Sequence, residues 1–212
     1  MLKSEPTPAE IAAEVVPKSY FAPLEFENIF GLRAPLEVDL GCGDGAFLVA
    51  MGAANPDRNY LGIERLFGRV RSACRRINRE QLPNVRVLRF EITYVVRHLL
   101  PPGSVSAFHL LFPDPWPKRR HANRRIVTRE LLQSIHRALA SDGTLQIATD
   151  QLEYFREIER LAAQTPEFAL AEGAAGATAI STFEKRFRKD GAEIYRLLLR
   201  KVSASRNGVA SQ

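Results

Sequence analysis

Long apolar runs are absent from this sequence. No stretch approaches the ~18 consecutive apolar residues that cross a bilayer as a helix, so no membrane-spanning helix is expected. The opening residues, MLKSEPTPAEIAAEVV, carry early acids and prolines where an export signal needs an apolar block. Cysteine is scarce as well. Cys42 and Cys74 are the only two, too few for a disulfide framework or a cysteine-rich metal site, and they fit a reducing cytoplasm. Histidines 98, 109, 121 and 136 show no ligand spacing, so no metal is expected, and His109 reads as a strand-core residue. There are no internal repeats, and nothing separates a monomer from a homodimer. Acid is the minority charge: 24 acidic residues against 30 basic ones leave a net +6, which admits a polyanionic partner without requiring one.

What is present is an alternation. Residues 1–35 carry prolines at 6, 8, 17, 23 and 35 and read as an irregular N-terminal extension whose LEFENIFG segment packs on the core. From Leu36 apolar runs alternate with amphipathic stretches. Strands are expected at 36–40, 59–64, 85–90, 105–112 and 144–149, with helices near 45–54, 65–80, 92–99, 124–140 and 151–164. Two further strands, in EFALAEG and EIYRLLLRK, are expected to pair as a hairpin with the last one antiparallel. The pattern predicts an α/β, Rossmann-like domain over 36–202, with a seven-stranded, mostly parallel sheet and helices on both faces. Residues 203–212 read as a frayed tail. The Gly- and Ala-rich, then charged, stretch 173–191 reads as a long loop of the kind that is functional or disordered.

LEVDLGCGDGAFL joins the first of these strands to the first helix through Gly41, Gly43 and Gly45. Glycines there permit a tight turn and close approach of a ligand to a helix N-terminus. Gly41-x-Gly43-x-x-Ala46 loosely satisfies a dinucleotide fingerprint, which keeps a nicotinamide-dependent oxidoreductase as an alternative. Asp39 argues against it. A carboxylate inside a buried strand needs a partner; a ligand ammonium supplies one and a pyrophosphate is repelled. Backbone N–H groups of the loop are the competing partner. Glu64 closes the second strand, where an acid can accept from both hydroxyls of a ribose. Glu91 follows the third strand, beside an adenine or as a solvated loop acid. Asp114 follows the fourth. Four acids at the carboxyl edge of a parallel sheet suit a cationic, sulfonium-type ligand.

The fourth strand runs into FPDPWPKRRHANRR, residues 112–125. Prolines 113, 115 and 117 fix φ and stop the strand, which holds Asp114 on a stiff corner. Trp116 can stack on an exposed base or cap the apolar edge. Lys118, Arg119, Arg120, Arg124, Arg125 and Arg129 follow with no acid among them. A second basic stripe, Arg65, Arg69, Arg76 and Arg79 with Arg71 and Arg75 flanking, lies on the helix after Glu64. Lys185, Arg186, Arg188 and Lys189 form a third group. Three such groups, two of them beside ligand-edge loops, point to a phosphate backbone.

The 112–125 block resembles the signature of the bacterial tRNA (guanine-N7-)-methyltransferases, the TrmB family. The similarity extends from FENIFG through the glycine loop and YLGIE to ATD and STFEKR. It implies that Asp39, Glu64, Glu91 and Asp114 bind S-adenosyl-L-methionine, with Asp114 also the active-site residue. It further implies that Lys118, Asp150 and the stretch Ser181, Thr182, Phe183, Glu184 contact tRNA, methylated at the variable-loop guanosine, position 46. Asp39 stands where that family usually has glutamate, Glu91 where aspartate is usual, and Ser181-Thr182 where a single threonine opens the motif. A third possibility, an RNA-binding protein that has lost catalysis, retains the basic groups and predicts no methyl transfer.

Overall fold

The computed structural model describes residues 13–31, 33–116, 120, 124–171, 184 and 189–202. Eight strands form one sheet: β1 (Glu14–Val15), β2 (Leu36–Leu40), β3 (Asn59–Glu64), β4 (Val85–Arg89), β5 (Val105–Leu111), β6 (Leu139–Thr149), β7 (Phe168–Leu170) and β8 (Tyr195–Lys201). Their order is β1-β4-β3-β2-β5-β6-β8-β7. All neighbours are parallel except β6 with β8 and β7 with β8. The chain therefore winds outward from β2 through β3 to β4, then returns to β5 beside β2. This reversal makes β2 and β5 the topological switch point, where open α/β sheets bind ligands beyond their carboxyl ends.

The expected seven strands are present, and β1 is an eighth. The extension thus contributes a two-residue parallel edge to β4, which its irregular, proline-rich sequence conceals. Its helix α1 (Phe26–Phe30) packs Phe26, Ile29 and Phe30 on the core, as the LEFENIFG pattern suggests.

Side-chain alternation sorts the sheet into two faces. Val38, Leu40, Leu61, Ile63, Leu88, Phe108 and Leu110 pack with α4 (Ile92–Tyr94, continuing as a π-helical turn, Val95–Leu99), α5 (Arg129–Ala138) and α6 (Leu152–Ala163). Tyr60, Val85 and Val87 pack with α2 (Ala46–Ala54) and α3 (Phe67–Arg79) on the other side. Helix α3 shows the cause: Val70, Ala73, Cys74 and Ile77 are its buried residues, an i, i+3, i+4, i+7 stripe. The alternation that turns Val38 and Leu40 toward α5 and α6 places Glu37 and Asp39 on the α2–α3 face, with Glu64 and His109.

Helix α5 begins at Arg129, five residues later than the 124 read from sequence. Thr128 caps it by accepting from the Leu131 N–H at 3.2 Å. Strand β6 starts early, at Leu139, and bends at Asp142 (φ 60) before Gly143.

Candidate cofactor cleft and nucleic-acid interface

The glycine loop connects β2 to α2 in three left-handed steps, Gly41 (φ 86), Gly43 (φ 56) and Gly45 (φ 76). At Gly45 a Cβ would also stand 2.8 Å from the Ala73 Cβ of α3, so glycine is required there for packing as well as conformation. The loop is tied down from two sides. Asp44 accepts from the Ala46 N–H at 3.2 Å and from the Arg76 guanidinium at 2.8 Å, and Arg76 Nε donates to the Asp44 carbonyl. Glu64 accepts from the N–H groups of Gly43 at 3.2 Å and of Arg65 and Leu66 at 2.8 Å each. Arg69 stands 3.8 Å from Glu64. Cys42 is buried against the position where a Gly62 side chain would begin, and burial raises its thiol well above the ordinary range. It is a packing residue.

Asp39 is different. It is 3% exposed, and among the described residues no group hydrogen-bonds its carboxylate. Burial pushes its pKa up to about 7, against the pull of His109 and with a small addition from Glu64. His109, opposite Asp39 in the β2–β5 register, bridges Glu37 Oε2 at 2.8 Å and Gln146 Oε1 at 3.1 Å, while Arg58 reaches Glu37 Oε1 at 2.9 Å. Burial alone would raise the Glu37 carboxyl, but His109 and Arg58 together hold it below the ordinary value. The strand-core reading of His109 is correct, and the polar row it belongs to was not anticipated.

Glu91 is exposed and caps α4 with both oxygens, accepting from Thr93 N–H at 2.9 Å and Tyr94 N–H at 2.8 Å. In this structure the capping task uses the groups that an adenine contact would need.

At the far side of the switch point, Phe112 continues the β5–β6 ladder by donating to the Ala148 carbonyl at 2.7 Å. The chain then turns through two left-handed non-glycine residues, Phe112 (φ 54) and Trp116 (φ 42). Such backbone costs roughly 1–2 kcal/mol per residue, so the corner needs external support. Asp114 lies exposed between them. The arginine that follows the loop supplies the support. Arg125 Nε donates to the Pro115 carbonyl at 2.8 Å, Nη2 to the Trp116 carbonyl at 3.4 Å, and Nη1 pairs with Glu157 of α6. The neighbouring Arg124 is exposed and lies over the Trp116 ring at 5.0 Å, so one indole face already carries a cation.

Asp150 follows β6 on the same edge and accepts from the Gln151 side chain at 2.6 Å. Glu184 is 3% exposed and ion-paired with Arg196 of β8. Lys118, Arg119, Ser181, Thr182 and Phe183 lie outside the described residues, as do Lys185, Arg186 and Arg188. The structure thus brings Asp39, Gly41, Gly43, Glu64, Asp114 and Asp150 to one sheet edge. Sequence reasoning missed Asp44, Glu157 and Arg196 and read Arg76 only as part of a phosphate-facing stripe; all four act by pairing across the fold. Only Asp44 left a local sign, an acid two residues before a helix.

This sheet order and its loops define a Rossmann-like methyltransferase fold. The solved 16S rRNA methyltransferase KamB superposes with a TM-score of 0.60 at 17% identity, covering 84% of this chain and 93% of that one. A family model described as "Putative methyltransferase" matches residues 33–197. The tRNA (guanine-N(7)-)-methyltransferase of Alkalilimnicola ehrlichii is 33% identical over 84% of this chain and 78% of its own length. That of Buchnera aphidicola is 41% identical over 64% and 56%. The chain belongs to this tRNA (guanine-N7-)-methyltransferase family. It spans little more than half the length of several curated relatives that it matches.

Proposed function

We propose that this protein transfers a methyl group from S-adenosyl-L-methionine to N7 of a guanine in tRNA, at the variable-loop guanosine, position 46. The observation that carries the reading is Asp39. A buried carboxylate with no hydrogen-bond partner among the described residues, beside a left-handed glycine loop at the switch point, fits a ligand that brings its own positive charge. We assign the ribose hydroxyls to Glu64 at the end of β3, whose oxygens also accept from the Gly43, Arg65 and Leu66 N–H groups. A nicotinamide cofactor would bring a pyrophosphate to the same loop, against Asp39.

When bound, S-adenosyl-L-methionine supplies an electrophilic methyl group on a sulfonium. Guanine N7 is a lone pair without a proton at neutral pH, so the protein needs no general base. The task of Asp114 is to hold the N–H edge of the guanine or the ligand ammonium and to face the positive charge as it moves to the base. Orientation contributes more than this charge, because the cation is present before and after transfer. Holding reactants in line is worth up to roughly 7–11 kcal/mol in favourable systems, and a proline-flanked corner is suited to it.

N7 faces the major groove, which in A-form RNA is too deep and narrow for side chains. The target therefore lies in a loop or leaves its stack, as a variable-loop guanosine can. Lys118, Arg119, Arg120 and Arg124, which follow Asp114 in sequence, are assigned to phosphates, and Asp150 with Ser181 to Glu184 to RNA contact by the family resemblance. A tRNA substrate also suits the reducing cytoplasm suggested by cysteine usage. No helix among the described residues is long and apolar enough to cross a membrane.

Incubating the protein with unmodified tRNA and methyl-labelled cofactor, then mapping the labelled nucleoside, tests the reading. Label in 7-methylguanosine at position 46 supports it. Binding of NADH but not S-adenosylhomocysteine would favour the oxidoreductase, and tRNA binding without transfer the inactive RNA binder.

A further inference from the structure

We propose that Arg125 is a positioning residue that holds the Asp114 corner through backbone carbonyls, and that it does not contact RNA phosphate. The proposal rests on the methyltransferase reading above for its activity readout and on geometry for its substance. Arg125 is one of six cations between residues 118 and 129, yet its side chain is only 12% exposed. Each nitrogen of its guanidinium has a protein partner: Nε the Pro115 carbonyl, Nη2 the Trp116 carbonyl and Nη1 the Glu157 carboxylate. Its plane lies 5.1 Å from the ring centre of Tyr154, itself 1% exposed. The Tyr154 hydroxyl accepts from the Val127 N–H at 3.4 Å. Arg125 therefore joins three pieces of chain: the corner after β5, the approach to α5 and helix α6.

The two carbonyls it holds belong to the two residues directly after Asp114, one of them the left-handed Trp116. A planar fork suits that task, since it fixes direction as well as distance. A phosphate would have to displace these partners and leave Glu157 unpaired beside a half-buried corner. Arg124, exposed over the indole, makes no such bond to the backbone among the described residues.

The test uses Arg125→Ala, Arg125→Lys and Glu157→Gln in the full chain, with methyl transfer to tRNA measured across salt concentrations. Arg125→Ala should lower kcat on the order of 10²-fold, the effect of a small misplacement, with the tRNA KM and the salt slope unchanged. A lost phosphate contact would instead reduce the log–log salt slope by about 0.9. Arg125→Lys keeps the charge but not the fork, so kcat should stay low; recovery of wild-type turnover by lysine overturns the proposal. Glu157→Gln removes an acid, which cannot weaken binding to a polyanion by charge, and should still lower kcat.

A readout independent of activity exists because Trp116 is the only tryptophan. Its emission should shift and its acrylamide quenching increase in Arg125→Lys and Glu157→Gln. If wild type transfers no methyl group, the enzymatic reading fails while this fluorescence change still decides the strut. Unchanged Trp116 fluorescence in both variants, or a loss confined to KM and salt slope, overturns it.

Discussion

The two halves of the ligand edge are restrained by opposite chemistry. On the β2–β4 side, carboxylates accept from backbone N–H groups: Glu64 from Gly43, Arg65 and Leu66, Glu91 from Thr93 and Tyr94, Asp44 from Ala46. On the β5–β6 side a guanidinium donates to backbone carbonyls at Pro115 and Trp116. Each half therefore uses the charge abundant in its own sequence to fix its own loop. Among the described residues, Asp39 in the first half and Asp114 and Arg124 in the second carry no such backbone duty, whereas Glu64 would have to share its oxygens between the loop and a ligand.

The largest expected effect breaks the second half at its acid. Asp114→Ala should reduce methyl transfer by at least about 10²-fold, the scale of removing one electrostatic contact at a reacting centre. Asp114 is exposed, so the melting temperature should hardly change. Wild-type turnover in this variant would remove its assigned role.

Breaking the first half should separate stability from function. Asp39→Asn removes a buried charge, and loss of its pairing with a ligand ammonium should weaken S-adenosylhomocysteine by about 2 kcal/mol, some thirtyfold. The empty protein should respond in the opposite sense. The folded pKa of Asp39, about 7, lies above its ordinary 3.8, so the native state holds a proton that the unfolded chain has lost. The stability associated with that proton is full below pH 3.8, declines as pH rises to about 7, and is flat beyond. Asp39→Asn should therefore melt higher than wild type at pH 8 and close to it at pH 4. Equal melting at both values would mean that Asp39 carries no such penalty.

Much of this comparison was legible in sequence, for a physical reason. Strand periodicity placed Asp39 and Glu64 at strand ends, and the prolines around Asp114 announced a corner, because both are local consequences of backbone geometry. Partnership is not local. Arg125 and Glu157 are thirty-two positions apart, as are Asp44 and Arg76, and no spacing rule joins them. The basic stripe on α3 therefore read as one surface. In the fold Arg76 holds the glycine loop, Arg69 faces Glu64 and Arg79 pairs with Glu80. Strand β1 was hidden similarly, since two residues carry no period.

A smaller effect sharpens the first half. Affinity for S-adenosylhomocysteine should rise as pH increases through about 7 while Asp39 ionises, then fall at more alkaline pH, where the free amino-acid ammonium of the ligand loses its proton. The groups that set the rising limb are buried together on the α2–α3 face: His109 on β5, which lowers the pKa of Asp39, and Glu64 on β3, which raises it. His109→Leu should move the rising limb to higher pH and leave the falling limb in place. Calorimetric titration between pH 5.5 and 9 distinguishes this from a general loss of affinity, which would lower the whole curve without moving it.

The smallest effect belongs to the second half and tests whether neighbouring arginines do different work. Arg124 is exposed against Trp116, so Arg124→Ala should weaken tRNA binding severalfold at moderate salt and reduce the salt slope by about 0.9. Turnover at saturating tRNA should be little changed. Because Arg124 and Arg125 are adjacent in sequence and equal in charge, composition predicts the same result for both. The fold separates them: among the described residues Arg124 has no backbone partner, whereas Arg125 holds two carbonyls. Identical salt slopes and identical kcat losses for the two variants would show that partner count does not separate ligand-facing charge from structural charge on this edge.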